Sequence, residues 1–142
     1  MIIAVDFDGT IVEDRYPKIG KEIPFAIETL KMLIRDGHQL ILWTVREGQS
    51  LEEAVDWCLL HGLSFSAINK SYPEEIVNNQ NDYCKKINAD LFIDDCNIGG
   101  LPDWGIIYHL VNQGYTHDNT CYHNDSYKGR LSKKRWWKRF LK

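Results

Sequence analysis

Three short, largely apolar runs and a fourth, weaker strand-like segment in this chain each stop at a polar residue, and each is followed by a segment with helical spacing. The first run, Met1 to Val5, ends abruptly in Asp6-Phe7-Asp8-Gly9-Thr10. The others are Gln39 to Trp43 before Thr44, Ser66 to Asn69 before Lys70, and Ala89 to Ile93 before Asp94. A short continuous apolar run suits a parallel strand buried on both faces. Pro24 opens a first helix at a favoured first-turn position, Ile27, Leu30, Leu33 and Ile34 recur at helical spacing, and Gly37 stops it. Ser50 and Glu53 make a capping-box pattern for a second, with Leu51, Ala54, Val55, Cys58 and Leu59 as its buried stripe and Gly62 at its end. A third runs from Pro73 to about Ile87, and a fourth from Pro102 or Asp103 to just before Gly114. Residues 11–23 read as irregular and polar. Strand and helix alternating four times predict an α/β fold, a mainly parallel sheet with helices on both faces and right-handed crossovers. The 142 residues fit one domain.

Open sheets of this kind bind ligands beyond the carboxyl ends of their strands. Asp6, Thr44, Lys70 and Asp94 all fall at or just past such an end. Asp6 and Asp8, two residues apart, share one side of an extended chain, and like charges so close call for a cation or a shared proton. Alone, Asp-x-Asp-Gly reads equally as a solvated turn, in which Gly9 permits the tight backbone. Asp94-Asp95 changes that balance, because four acids gathered at one edge are costly without a cation. Carboxylate oxygens suit Mg²⁺, which also bridges to substrate phosphate. A calcium loop of the EF-hand type is excluded, because the later ligand positions are missing.

Asp6-Phe7-Asp8-Gly9-Thr10 after an apolar strand resembles the first motif of the haloacid dehalogenase superfamily. Ile41-Leu42-Trp43-Thr44 resembles its second motif and Phe92-Ile93-Asp94-Asp95 its fourth, in the expected order over about residues 1–114. The resemblance is to the small bacterial and phage-type phosphatases that lack a cap domain. It implies a Rossmann-like three-layer α/β/α domain over residues 1–129. It also implies a Mg²⁺-dependent phosphomonoester hydrolase. Asp6 would attack phosphorus, Asp8 would serve as general acid and base, and Thr44 would hold the transferring group. Asp6, the Asp8 backbone carbonyl and Asp94 would hold Mg²⁺, with Asp95 assisting through water. Gly9 and Thr10 would face the phosphate. Lys70, followed by Ser-Tyr-Pro-Glu, resembles the third-motif lysine, with Lys85 and Lys86 as rivals. A metal- or phosphate-binding regulatory protein on the same scaffold and a phosphotransferase are the alternative functions.

Only 37 residues separate Asp6 from Thr44 and 23 separate Lys70 from Asp94, which leaves no room for a large cap. The site is expected to be open, closed at most by residues 11–23. Such a site admits a phosphate on a small molecule or on a macromolecule. Arg15, Lys18, Lys21 and Arg46 are candidates to touch the substrate. Cys58, Cys84, Cys96 and Cys121 lack the paired spacing of a disulfide framework or a Cys-rich zinc site. His117, Cys121 and His123 lack a fourth ligand and read as loop residues. No apolar run approaches the roughly 20 residues of a membrane span, and the start carries no basic leader, so the cytoplasm is expected. The net charge of -3 conceals a division: residues 130–142 carry seven Lys or Arg and no acid, on a body with 10 Lys or Arg and 20 Asp or Glu. On a helix, Trp136, Trp137, Phe140 and Leu141 of this tail would share a face. That face packs on the domain, lies on an anionic membrane surface or stacks on nucleic acid. Oligomer formation is also open.

Overall fold

The computed structural model describes residues 1–73 and 87–113. The expected third helix, apart from its ends, lies outside these residues, as do Lys85, Lys86, Cys84, the His117–His123 group and the basic tail. The described elements run β1 (Ile2–Val5), α1 (Ala26–Arg35), β2 (Gln39–Leu42), α2 (Gly48–Leu60), β3 (Ala67–Ile68), β4 (Leu91–Ile93) and α3 (Trp104–Asn112). The fold is α/β, with one four-stranded sheet in the order β3-β2-β1-β4, parallel throughout. β1 is central, with Val5 level with Leu42 on one side and Ile93 on the other. All four strands therefore end at one edge.

Alternation along each strand divides the core in two. Ile3, Val5, Leu40 and Leu42 face a cluster built with Ala26, Ile27, Leu30 and Leu33 of α1, Ala54 and Cys58 of α2, and Trp104, Ile107 and Val111 of α3. Fully burying each of the larger side chains stabilises the fold by about 1.5–3 kcal/mol. Ala4, Ile41 and Ala67 face the other way, where Ile87 packs with them. The three described helices thus share one face. No helix among the described residues is long and apolar enough to cross a membrane.

Several local expectations shift. α1 begins at Ala26, because Phe25 takes a left-handed conformation (φ 68°) that leaves Pro24 outside the helix. α2 begins at Gly48, so Ser50 lies inside it and its hydroxyl donates to the Glu47 carbonyl instead of capping. Leu59 is more than half exposed rather than buried, because Trp57 turns towards the core and meets the Phe7 ring edge-on at 5.8 Å. In α3, Asp103 does cap, accepting from the Gly105 amide at 2.8 Å. The segment 11–23 is not wholly a polar loop. Ile11 and Val12 are fully buried, and Val12 bridges to both Asp8 and Glu22.

Candidate functional site

The site begins where β1 ends. The Asp6 amide donates to the Ile93 carbonyl at 3.0 Å, the last rung between β1 and β4. The chain then turns on the Phe7 carbonyl, which accepts from the amides of Ile11 at 2.9 Å and Val12 at 3.1 Å. Phe7 is driven into the core by its apolar ring, while Asp6 and Asp8 stay partly exposed. Gly9 adopts φ 79°, and a Cβ there would come within 2.5 Å of Asp95 Oδ2. Only glycine admits both that conformation and so near an acid.

Burial pushes Asp6 up to about 7, and the charges of Asp94, Asp95 and Asp8 push in the same direction, against a backbone hydrogen bond at Phe7. No lysine or arginine among the described residues forms an ion pair with Asp6, Asp94 or Asp95. The carboxylates of Asp94 and Asp95 and the Cys96 thiol each offer an atom within 4.8 Å of the others. The two acids push the Cys96 thiol up, Asp95 most, and a sulfur donor suits softer cations than Mg²⁺. The Asp94 and Asp95 carboxylates that remain are oxygen donors with no ion-pair partner among the described residues, a chemistry that suits Mg²⁺.

Asp8 departs from the paired picture. Its carboxylate turns to Arg46, which grips it in a fork: Nε to Oδ2 at 2.6 Å and Nη2 to Oδ1 at 2.7 Å. The guanidinium also donates to the carbonyls of Pro17 and Lys18 at 3.0 Å each and of Ser50 at 3.4 Å. It lies 5.1 Å from the Phe7 ring centroid and 5.3 Å from that of Tyr16. The carboxylate pushes the guanidinium up, outweighing the opposing effect of burial. Arg46 was expected to touch substrate. It is fully buried, and its hydrogen-bonding capacity is committed to the protein. Sequence alone offered one clue to this pairing: an arginine two residues beyond Thr44, in the loop that follows the second strand.

Thr10 is also fully buried. Its hydroxyl donates towards Asp6 Oδ2 at 3.4 Å and accepts from the Asp95 amide at 3.1 Å, so it braces the first acidic loop against the second. Thr44 is buried at the end of β2; its Oγ1 accepts from the Arg46 amide at 3.2 Å. The Thr44 amide donates to Asn69 Oδ1 at 2.8 Å. Asn69 was missed in the sequence. It holds a left-handed turn (φ 50°), which asparagine tolerates better than most residues. Lys70 follows it, half-buried, with no hydrogen bond or ion pair among the described residues. Strand order puts Lys70 two strands, roughly 10 Å, from Asp6, with Thr44 between them. Arg15, Lys18 and Lys21 are exposed, and Arg15 pairs loosely with Glu13 at 3.7 Å.

No protein-family model and no curated protein matches the chain. Among solved structures, it is similar to a conserved protein encoded by a locus of Bacteroides thetaiotaomicron, at 61% sequence identity and a TM-score of 0.73. The match covers 80% of this chain and 90% of that one. At this identity and coverage, the chain belongs to the family of that conserved Bacteroides protein.

Proposed function

We propose that this protein is a Mg²⁺-dependent phosphomonoester hydrolase of the haloacid dehalogenase type, with a three-layer domain that carries no cap. The observation behind this reading is Asp6 itself. It follows directly on the central strand, is pushed up towards neutrality by burial and three acids, and has Thr44 just past the end of the neighbouring strand. Such a carboxylate is ready to act as a nucleophile only when a cation offsets its neighbours. Asp6, Asp94 and the Asp8 carbonyl would hold Mg²⁺, with Asp95 next to them. When bound, Mg²⁺ supplies charge that screens the nucleophile from the phosphate and stabilises the transition state.

In this reading an Asp6 oxygen bonds to phosphorus as the ester oxygen leaves; Asp8, protonated in the substrate complex, hands that oxygen its proton and becomes the carboxylate that Arg46 grips. Asp8 then removes a proton from the water that attacks phosphorus, and Asp6 is released with inorganic phosphate. The fork from Arg46 fixes the Asp8 carboxylate while leaving each oxygen a further lone pair for this work. Thr44 and Lys70 would steady the phosphoryl oxygens. The test is hydrolysis of a broad panel of phosphate esters with and without Mg²⁺, using Asp6→Asn as control. Metal-dependent turnover above the control is expected. Turnover equal to the control on every ester would favour the regulatory metal- or phosphate-binding protein, a reading that the commitment of both Asp8 oxygens to Arg46 also accommodates.

A further inference from the structure

The loops that leave the four strands at the Asp6 edge each carry a large apolar side chain in solvent. They are Tyr16 after β1, Val45 after β2, Tyr72 after β3 and Ile98 after β4. None is marginal: Tyr16 and Tyr72 are 58% and 55% exposed, and Val45 and Ile98 more so. Single exposed apolar residues need no explanation. One on every loop around an acidic centre is an apolar rim on a charged site. That pattern fits a ligand with an anionic end and an apolar or planar body.

Tyr16 is tied to the acidic centre through Arg46. Its ring lies beside the Arg46 guanidinium, which in turn lies over the buried Phe7 ring. The next two residues are pinned by hydrogen bonds from the same guanidinium to the Pro17 and Lys18 carbonyls. The Tyr16 amide donates to Asp14 Oδ1 at 3.3 Å. Because Arg46 also grips Asp8, one guanidinium links the exposed ring to the acidic centre. A fixed aromatic ring loses little conformational freedom when a second ring stacks on it.

We propose that Tyr16 is a stacking platform for a planar ring of the substrate, so that the site takes nucleotides, with the phosphate at Asp6 and the base on Tyr16. The proposal names the substrate class for the phosphatase reading above and rests on it. Stacking of a base on an aromatic side chain contributes about 1–3 kcal/mol, which is roughly 5- to 150-fold in affinity.

The experiment is calorimetric titration of Asp6→Asn with Mg²⁺, comparing adenosine and uridine 5′-monophosphates with ribose 5-phosphate. The nucleotides are expected to bind at least fivefold more tightly than the sugar phosphate. Adding Tyr16→Ala should bring that ratio close to one, and Tyr16→Phe should keep it. A ratio near one before any change at Tyr16, a ratio indifferent to Tyr16→Ala, or no binding of either ligand overturns the proposal. So does a stable dimer that Tyr16→Ala dissociates, because the rim would then serve a second copy of the chain. Turnover of ribose 5-phosphate by the unmodified protein is scored separately. Tyr16-dependent binding without turnover of any ester would leave the platform standing and remove the hydrolase.

Discussion

Replacing Arg46 with methionine should be among the most damaging single changes in the described part of the molecule. The side chain is fully buried, and its partner Asp8 is only 12% exposed. Truncating one member of such a pair strands the other charge, at a cost of about 3–5 kcal/mol. The residual exposure of Asp8 lets some water reach the carboxylate, which favours the low end of that range. The Pro17, Lys18 and Ser50 carbonyls lose donors as well, but they lie in or near loops that water can reach and add about 1 kcal/mol together. A loss of about 4 kcal/mol is therefore expected, a large share of the roughly 5–15 kcal/mol that holds a domain. Urea unfolding followed by tryptophan fluorescence, at neutral pH without divalent cations, measures it. Asp8→Asn combined with Arg46→Met should cost less than the two single changes together, by about 1–3 kcal/mol, because the stranded charge is gone. Arg46→Lys should recover little, since lysine cannot make the two-pronged contact. A loss under about 1 kcal/mol for Arg46→Met, or strict additivity in the double variant, would refute the reasoning.

Asp6 titrates near 7 in the fold against 3.8 for a free carboxyl, so without a cation stability should fall as pH rises from about 4 through 7, by up to about 4 kcal/mol. Asp6→Asn should abolish this decline in thermal unfolding between pH 4.5 and 8.5; parallel curves would contradict the assignment. Mg²⁺ must displace the Asp6 proton, so its affinity should rise by up to about tenfold per pH unit below 7 and level off above it, and a flat calorimetric profile would exclude Asp6 as a ligand. Gly9→Ala forces a methyl against Asp95 at φ 79°, so a loss of at least about 1–2 kcal/mol and weaker Mg²⁺ binding are expected, whereas unchanged affinity would mean that Asp95 lies outside the metal site. Lys70→Ala should lower turnover at least tenfold, and full turnover there with loss in Lys86→Ala would transfer the role to Lys86.

The parallel sheet was legible because three of its strands are short, largely apolar runs that stop at a polar residue, whereas β3, two residues long, gave the weakest signal. Asp6, Thr44, Lys70 and Asp94 could be placed at one edge without coordinates, since parallel strands share an end. Local signals proved less secure. Ser50 and Glu53 have capping-box spacing, but the helix starts at Gly48, so the pattern caps nothing. Leu59 fits an apolar stripe by spacing, yet the contact of Trp57 with Phe7 sets the rotation of α2 and leaves Leu59 in solvent.

By itself, then, the sequence determined the alternating fold and the strand ends from which the acids project, because hydrophobic period and chain polarity are local properties. Only the tertiary structure decided which charges meet. Arg46 is 38 residues from Asp8 in the chain, and no spacing rule joins them. They pair because β1 and β2 lie side by side and the buried guanidinium needs an anion. The same long-range packing brings Thr10 between Asp6 and Asp95, fixes Asn69 beneath Thr44, and sets Tyr16 on the guanidinium. The Thr10 link to Asp6 is local, but the others join segments that only strand order brings together, and strand order is a property of the folded sheet.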